Sequence, residues 1–138
     1  MKCYKYIEHT SDLGIRVWGR DIKSLFTNSA FAMYDIISDV SLVRPVRSFF
    51  IRSKGMDRDE LLRNWLSELL YCFHGKGLLL AEFNVIRLNK TDILSRVSGE
   101  RCLSSRHRLK REIKAVTYHN LKIIKRNNKF HTDIIFDV

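Results

Sequence analysis

The segment from Asp57 to Gly77 constrains the fold more than any other part of the sequence. Asp57 can cap a helix, with Glu60 three residues later as in a capping box, and Gly75 or Gly77 can end it. Burial of its large apolar side chains, at about 1.5–3 kcal/mol each, would make this helix the main hydrophobic anchor of the fold. These side chains recur at helical spacing on one face: Leu61, Leu62, Trp65, Leu66, Leu69, Leu70 and Phe73.

A second amphipathic helix is predicted to begin after Asp21, a suitable N-cap, and to end at the segment 38–45. We expect its apolar stripe to serve packing alone. The sequence VRSFFIRS that follows indicates a strand. The stripe consists of Ile22, Leu25, Phe26, Ala30, Met33, Ile36 and Ile37.

Most of the remaining chain has a period of two, which is typical of strands. YKYI and GIRVWG near the N-terminus predict two strands, and HNL and RNNK in the second half predict hairpin turns. Because no strand–helix–strand alternation continues through the second half, an antiparallel or mixed sheet is favoured. Further strands are predicted in LLLAEFNVIRL, TDILSRVSGE, REIKAVTY, LKIIKRNN and KFHTDIIFDV.

These patterns together predict an α+β fold in a single domain, residues 1–138. Two amphipathic helices would pack on a mostly antiparallel β-sheet whose first and last strands could be neighbours. The sequence has no apolar run suited to a signal peptide or a bilayer span, so we expect a soluble cytoplasmic protein without a membrane partner. The three cysteines form no CxxC pair and are expected to be reduced thiols.

The formal net charge is +10, with 25 Lys and Arg against 15 Asp and Glu. Such an excess favours an anionic partner, nucleic acid above all, although a solvated basic surface explains it equally well. Much of the charge lies in residues 101–114, RCLSSRHRLKREIK, where only Glu112 opposes it. A solvated loop and a surface for RNA or an acidic protein are both open interpretations of this segment.

No motif in the sequence indicates a catalytic centre. A glycine-rich phosphate loop, a G-x-S-x-G nucleophile elbow and the spacing of zinc-binding His and Cys residues are all missing. The five histidines are dispersed along the chain. The residues therefore favour a binding or regulatory protein over an enzyme that acts alone.

Three carboxyl groups could meet if the first and last strands lie together. Asp12 lies in the polar loop EHTSDL, and Asp137 precedes Val138 with its main-chain carboxylate. Oxygen ligands of this kind suit hard cations such as Ca²⁺ or Mg²⁺. The alternative is ordinary turn chemistry in the loop and a C-terminus that frays in solvent.

Four segments resemble, in order and at similar spacing, those of the archease family: YKYIEHTSDLGIRVWG, DELLRNWLSELLYCF, IKAVTYHNL and the final IIFDV. The resemblance implies a small α+β protein that is not itself an enzyme. It would activate an RtcB-type tRNA-splicing RNA ligase by promoting guanylylation of the ligase's active-site histidine and sustaining multiple turnover.

The resemblance also implies which residues carry this role. A divalent cation, Ca²⁺ in the first place with Mg²⁺ or Mn²⁺ as alternatives, would be held by Asp12, Asp137 and Val138. Lys114 matches a position implicated in activation, and His119 and His9 lie in family motifs whose role is open. Two alternatives stay open: a basic protein that binds tRNA or other RNA directly, and a chaperone or modulator of another tRNA-processing enzyme.

Overall fold

The computed structural model describes residues 3–8 and 11–138. Its helices are α1 (Ile22–Ile37) and α2 (Arg58–His74), with a short 3₁₀ turn at Val40–Leu42. Its strands are β1 (Tyr4–Ile7), β2 (Leu13–Gly19), β3 (Arg47–Lys54), β4 (Leu78–Leu88), β5 (Asp92–Arg101), β6 (Ala115–Val116), β7 (Ile124–Arg126) and β8 (Lys129–Asp137).

The strands form two antiparallel sheets. In the first sheet β1 pairs with β2 and β2 with β8, and the other edge of β8 carries β6 and β7. The second sheet has the order β3-β5-β4. Both helices contact strands of both sheets, so one hydrophobic core joins all of these elements. The predicted α+β class is confirmed, with the strands divided between two sheets where the sequence predicted one.

The predicted caps define both helices. Asp57 accepts a hydrogen bond from the Glu60 N–H at 2.8 Å, and Glu60 in turn accepts one from the Met56 N–H at 3.0 Å. Asp21 caps α1 in the same way, accepting from the Ser24 N–H at 2.7 Å. Neither helix within residues 3–8 and 11–138 combines the length and the apolar character needed to cross a membrane.

The two predicted hairpins had different outcomes. The turn at Asn127 and Asn128 joins β7 to β8, and both residues have a positive φ (53° and 62°), as a two-residue hairpin requires. The hairpin predicted at HNL is wrong, because β6 and β7 pair with β8 and not with each other. The intervening loop returns to the same edge of β8, where the Ile123 N–H donates to Asp59 of α2 at 2.9 Å.

The basic segment 101–114 is anchored to the core at its beginning. His107 is buried, and its Nδ1 accepts the Leu103 N–H at 2.9 Å, which leaves Nε2–H to donate to Glu100 at 3.0 Å. Glu100 also accepts the Arg44 N–H at 2.6 Å and pairs with Arg106. These contacts attach residues 103–107 to the fold, whereas Arg108, Lys110 and Arg111 are exposed, so both interpretations stay open for the rest of the segment.

Replacement of Glu100 by glutamine should lower the free energy of unfolding at pH 7 by about 1–3 kcal/mol, because its hydrogen bonds include charged partners. Desolvation acts to raise the pKa of Glu100, but the hydrogen bonds from Arg44 and His107 and the charge of Arg106 lower it overall. Because unfolded glutamate titrates at about pH 4.3, the stabilisation is present above that pH and is lost as pH falls through the lower folded pKa.

Urea unfolding of both proteins between pH 3 and 7 measures this effect. The difference in stability should be full at pH 7 and should shrink below about pH 4.3. A constant difference across the whole range would contradict the assignment of Glu100 as the titrating group.

Candidate metal and activation site

Strand β8 brings three predicted site residues to one end of the first sheet. The last strand pairs with β2, placing Leu13 opposite Phe136, and the same register continued by one residue places Asp12 beside Asp137. On the other edge of β8, the Lys114 N–H donates to the Asp137 carbonyl oxygen at 2.7 Å. The Asp12 loop and the segment that begins at Lys114 therefore meet on opposite sides of Asp137.

The charge pattern along β2 and β8 singles out this end of the sheet. Asp133 lies opposite Arg16, and the two form a bidentate ion pair with distances of 2.6 and 3.0 Å. Four residues later on the same face of β8, Asp137 is exposed, and the half-buried Asp12 immediately precedes the paired part of β2. A cation at this end of the sheet would be attracted by both carboxylates.

The backbone beside Asp12 is also unusual. Ser11 has φ 65°, a left-handed conformation that residues other than glycine adopt infrequently. Such conformations cluster at tight turns and functional sites. The turn directs the chain from Ser11 into β2, so that Asp12 is positioned immediately before the paired part of the strand.

Val138, the third predicted ligand, directly follows β8. Its side chain is half-buried and packs against the core, so this residue is attached to the fold. Its main-chain oxygen therefore lies at the same end of the sheet as Asp12 and Asp137. The all-oxygen set suits a hard cation, with water completing the coordination.

The metal assignment stays a prediction. Within residues 3–8 and 11–138, no three side chains of His, Cys, Asp or Glu gather closely enough to hold a metal by themselves. The predicted site contains only two such side chains, Asp12 and Asp137, and it takes its third ligand from the main chain of Val138.

Lys114 also borders a cavity of about 330 Å³ between α2 and β6. Two other basic side chains line it: Arg63, whose Nε donates to the Val116 carbonyl at 3.3 Å, and His74, whose Nε2 lies 2.6 Å from the Ile113 carbonyl oxygen. The Arg63 guanidinium carbon is 3.9 Å from the centre of the Tyr118 ring, so it stacks on the segment that follows Lys114.

Arg63 and His74 were not identified as site residues from the sequence. The signal is a second stripe on the helix: Arg63, Ser67, Tyr71 and His74 follow each other at spacings of four, four and three residues and line the cavity. This stripe contacts β6, the strand that begins directly after Lys114.

Of the two predicted histidines, only His119 lies within the described residues, and no contact among residues 3–8 and 11–138 brings it into the site. His119 is exposed in a turn after β6, where its N–H donates to the Thr117 hydroxyl oxygen at 3.2 Å. Within residues 3–8 and 11–138, its imidazole makes no hydrogen bond to Asp12, Asp137 or Lys114. His9 lies outside the described residues, and its role stays a prediction.

Comparison with known proteins identifies the family. The model of the Archease protein family matches residues 4–138. The chain belongs to the archease family. Protein archease of Methanopyrus kandleri is 33% identical over 138 residues, which cover 98% of this chain and 99% of the relative. Protein archease of Pyrococcus abyssi is 35% identical over 129 residues, 91% and 90% of the two chains.

Solved structures agree with the fold of this archease-family chain. The solution structure of a Methanobacterium thermoautotrophicum protein superposes with a TM-score of 0.80 at 29% identity, covering 100% of both chains. The crystal structure of a Thermotoga maritima archease, described as a possible chaperone, gives a TM-score of 0.68 at 18% identity over 97% and 96% of the chains. The second likeness concerns the fold alone. The predicted family resemblance is thus confirmed.

Proposed function

We propose that this archease-family chain is a non-catalytic activator of an RtcB-type RNA ligase in the cytoplasm. In this role it promotes guanylylation of the ligase and sustains multiple turnover in tRNA splicing or RNA repair. The observation that carries the proposal is the pairing of β8 with β2 and with the segment at Lys114, in a chain of this family. The proposal is supported by the hydrogen bond between the Lys114 segment and Asp137, since the resemblance assigns Asp12 and Asp137 to the metal and Lys114 to activation.

Asp12, Asp137 and the Val138 carboxylate would hold a divalent cation, with Ca²⁺ expected and Mg²⁺ or Mn²⁺ as alternatives. When bound, such an ion supplies positive charge that can stabilise phosphate oxygens. The protein itself contributes by positioning these ligands. The Lys114 N–H fixes the Asp137 backbone, which leaves the carboxylate of that residue exposed for a ligand.

Basic side chains next to this end of the first sheet are suited to binding phosphate groups. Lys114, Arg63 and His74 border the cavity between α2 and β6, and none of its described lining residues is acidic. Lysine and arginine bind phosphate groups by charge-assisted hydrogen bonds. We assign these side chains to attraction of the phosphates at the ligase active site, with the chemical step belonging to the ligase.

The experiment that tests this function uses the RNA ligase of the same organism with GTP, divalent cation and a cleaved RNA. Addition of this protein should raise the guanylylated fraction of the ligase and increase ligated product beyond one equivalent per ligase. Gel assays of radiolabelled guanylate on the ligase and of joined RNA measure both quantities. No change in either quantity would refute the proposal.

A chaperone or modulator of another tRNA-processing enzyme is the second candidate function. It is favoured by the description of the Thermotoga maritima archease as a possible chaperone. This function predicts a higher soluble yield of client enzymes unrelated to the ligase, with no dependence on Asp12 or Asp137. Light scattering of such clients during heating, with and without this protein, distinguishes the two functions.

A further inference from the structure

The second sheet has one face covered by helices and one face open to solvent. Helix α2 contacts β3, β4 and β5, and α1 contacts β4. Side chains such as Val97 and Val85 point to this covered side and are buried. Because side chains alternate along a strand, the residues between them lie on the opposite face. This open face has no part in the site described above.

Cross-strand pairing arranges the open face in rows. Phe50 of β3, Arg96 of β5 and Asn84 of β4 are direct neighbours, and all three are exposed. Phe50 keeps 63% of its surface accessible, which is unusual for a large apolar side chain in the middle of a strand. The next row consists of Arg52, Leu94 and Arg87, and the row on the other side consists of Ser48, Ser98 and Glu82.

The face is predominantly basic. Four basic side chains, Arg52, Lys54, Arg87 and Arg96, accompany two acidic ones, Glu82 and Asp92. Arg52 engages Asp92 at 3.2 Å, which occupies one carboxylate. Among the described residues, Arg87 and Arg96 form no salt bridge, so both guanidinium groups are available to an anion.

We propose that this open face binds single-stranded RNA. Arginine binds phosphate through paired hydrogen bonds, and an exposed aromatic ring offers a surface on which a base can stack. The central row provides both, with Phe50 directly beside Arg96 and the amide of Asn84 next to it. The net charge of +10 would steer a polyanion toward the chain.

The size of the face also suits an extended strand of RNA. From Ser48 to Lys54 it measures roughly 20 Å along the strands, and across three strands it measures roughly 10 Å. Duplex RNA is recognised through shape and groove contacts, for which a flat narrow sheet offers little. A single strand can place its bases on the sheet and its phosphates against Arg87 and Arg96.

Fluorescence anisotropy with a labelled single-stranded RNA, without ligase and over a range of salt concentrations, tests the proposal. Phe50→Ala should weaken binding about fivefold or more, because stacking of one base contributes about 1–3 kcal/mol. The double variant Arg87→Ala/Arg96→Ala should reduce the slope of log K against log salt by about 1.4, or about 0.7 for each phosphate contact.

The matched control is Arg108→Ala/Arg111→Ala, which removes two exposed arginines from the basic segment 101–114. It should change binding less than the sheet variant does. The proposal is overturned if the wild-type protein binds no RNA at low salt, if duplex RNA binds as tightly, or if the control weakens binding as much as Arg87→Ala/Arg96→Ala. Because ligase is absent, these outcomes are independent of the proposed activator function.

Discussion

Replacement of Asp12 or Asp137 by asparagine should abolish stimulation of the ligase while leaving the fold intact. Asparagine keeps the size and one oxygen of aspartate but removes the negative charge that holds a hard cation. In metal-free buffer the variants should keep the circular dichroism spectrum and the cooperative thermal unfolding of the wild type.

Metal binding gives a readout that does not involve the ligase. A cation that binds only the folded state raises its stability by RT ln(1 + [L]/Kd), which is about 2.7 kcal/mol at a hundredfold excess over Kd. Ca²⁺ should thus raise the unfolding temperature of the wild type and should leave that of Asp12→Asn and Asp137→Asn unchanged. Calorimetric titration with Ca²⁺ and Mn²⁺ and the guanylylation assay complete the measurement.

Glu82→Gln is the matched control, since it neutralises an exposed acid on the other sheet. It should keep both the metal response and the stimulation. Two residues added after Val138 would move the main-chain carboxylate away, and metal affinity should then fall. Full stimulation of the ligase by both folded aspartate variants would refute the proposed metal site. An unchanged affinity after the extension would remove Val138 from the ligand set.

The parts of the fold that local chemistry determines could be predicted from the sequence. Helix α2 was predicted because Asp57 and Glu60 satisfy N–H groups at its start and because its apolar residues repeat at helical spacing. The β7–β8 hairpin was predicted because asparagine tolerates the positive φ that Asn127 and Asn128 adopt. In each case the residues that give the prediction lie within a few positions of the helix start or turn that they predict.

The pairing of distant strands could not be predicted in this way. The sequence suggested that the first and last strands are neighbours, but it could not show that β8 pairs with β2 on one edge and with both β6 and β7 on the other. The HNL hairpin was wrong for the same reason. A turn-forming sequence does not show which strand each flanking strand pairs with. Here the pairing is set by the free edge of β8 and by the contact of the loop with Asp59.

The candidate site was likewise predictable only in part. Asp12 and Asp137 were candidates from the sequence pattern and were matched by the family resemblance, which added Lys114. Packing then placed Arg63 and His74 beside Lys114 across the α2–β6 cavity. No local sequence pattern shows that Arg63 and His74 lie next to Lys114, because this contact depends on how α2 packs against the first sheet. A run of basic residues in a sequence is also ambiguous, because it can include a buried side chain. The basic segment 101–114 contains His107, which is buried.

Substitution of Trp65 by alanine should cost about 3–5 kcal/mol of folding free energy, a large share of the 5–15 kcal/mol typical of a small domain. Trp65 is fully buried and joins three parts of the fold. Its ring lies 5.8 Å from that of Phe26 on α1, and its indole N–H donates to the Ser95 hydroxyl at 3.0 Å. Ser95 in turn donates to the Ile51 carbonyl at 3.0 Å, so α2 is tied to β5 and β3.

Urea unfolding monitored by circular dichroism measures this loss, and two variants separate its causes. Trp65→Phe keeps most of the apolar volume but removes the indole donor, so it should cost less than Trp65→Ala. Tyr71→Ala removes an aromatic ring from the same helix at a site that is 58% exposed, and its cost should be well below 3 kcal/mol. If Tyr71→Ala destabilises the protein as much as Trp65→Ala, burial in the core does not set the cost of these two substitutions, because alanine is the better helix former at both positions. That result would contradict the role of Trp65 as the anchor between the helices and the second sheet.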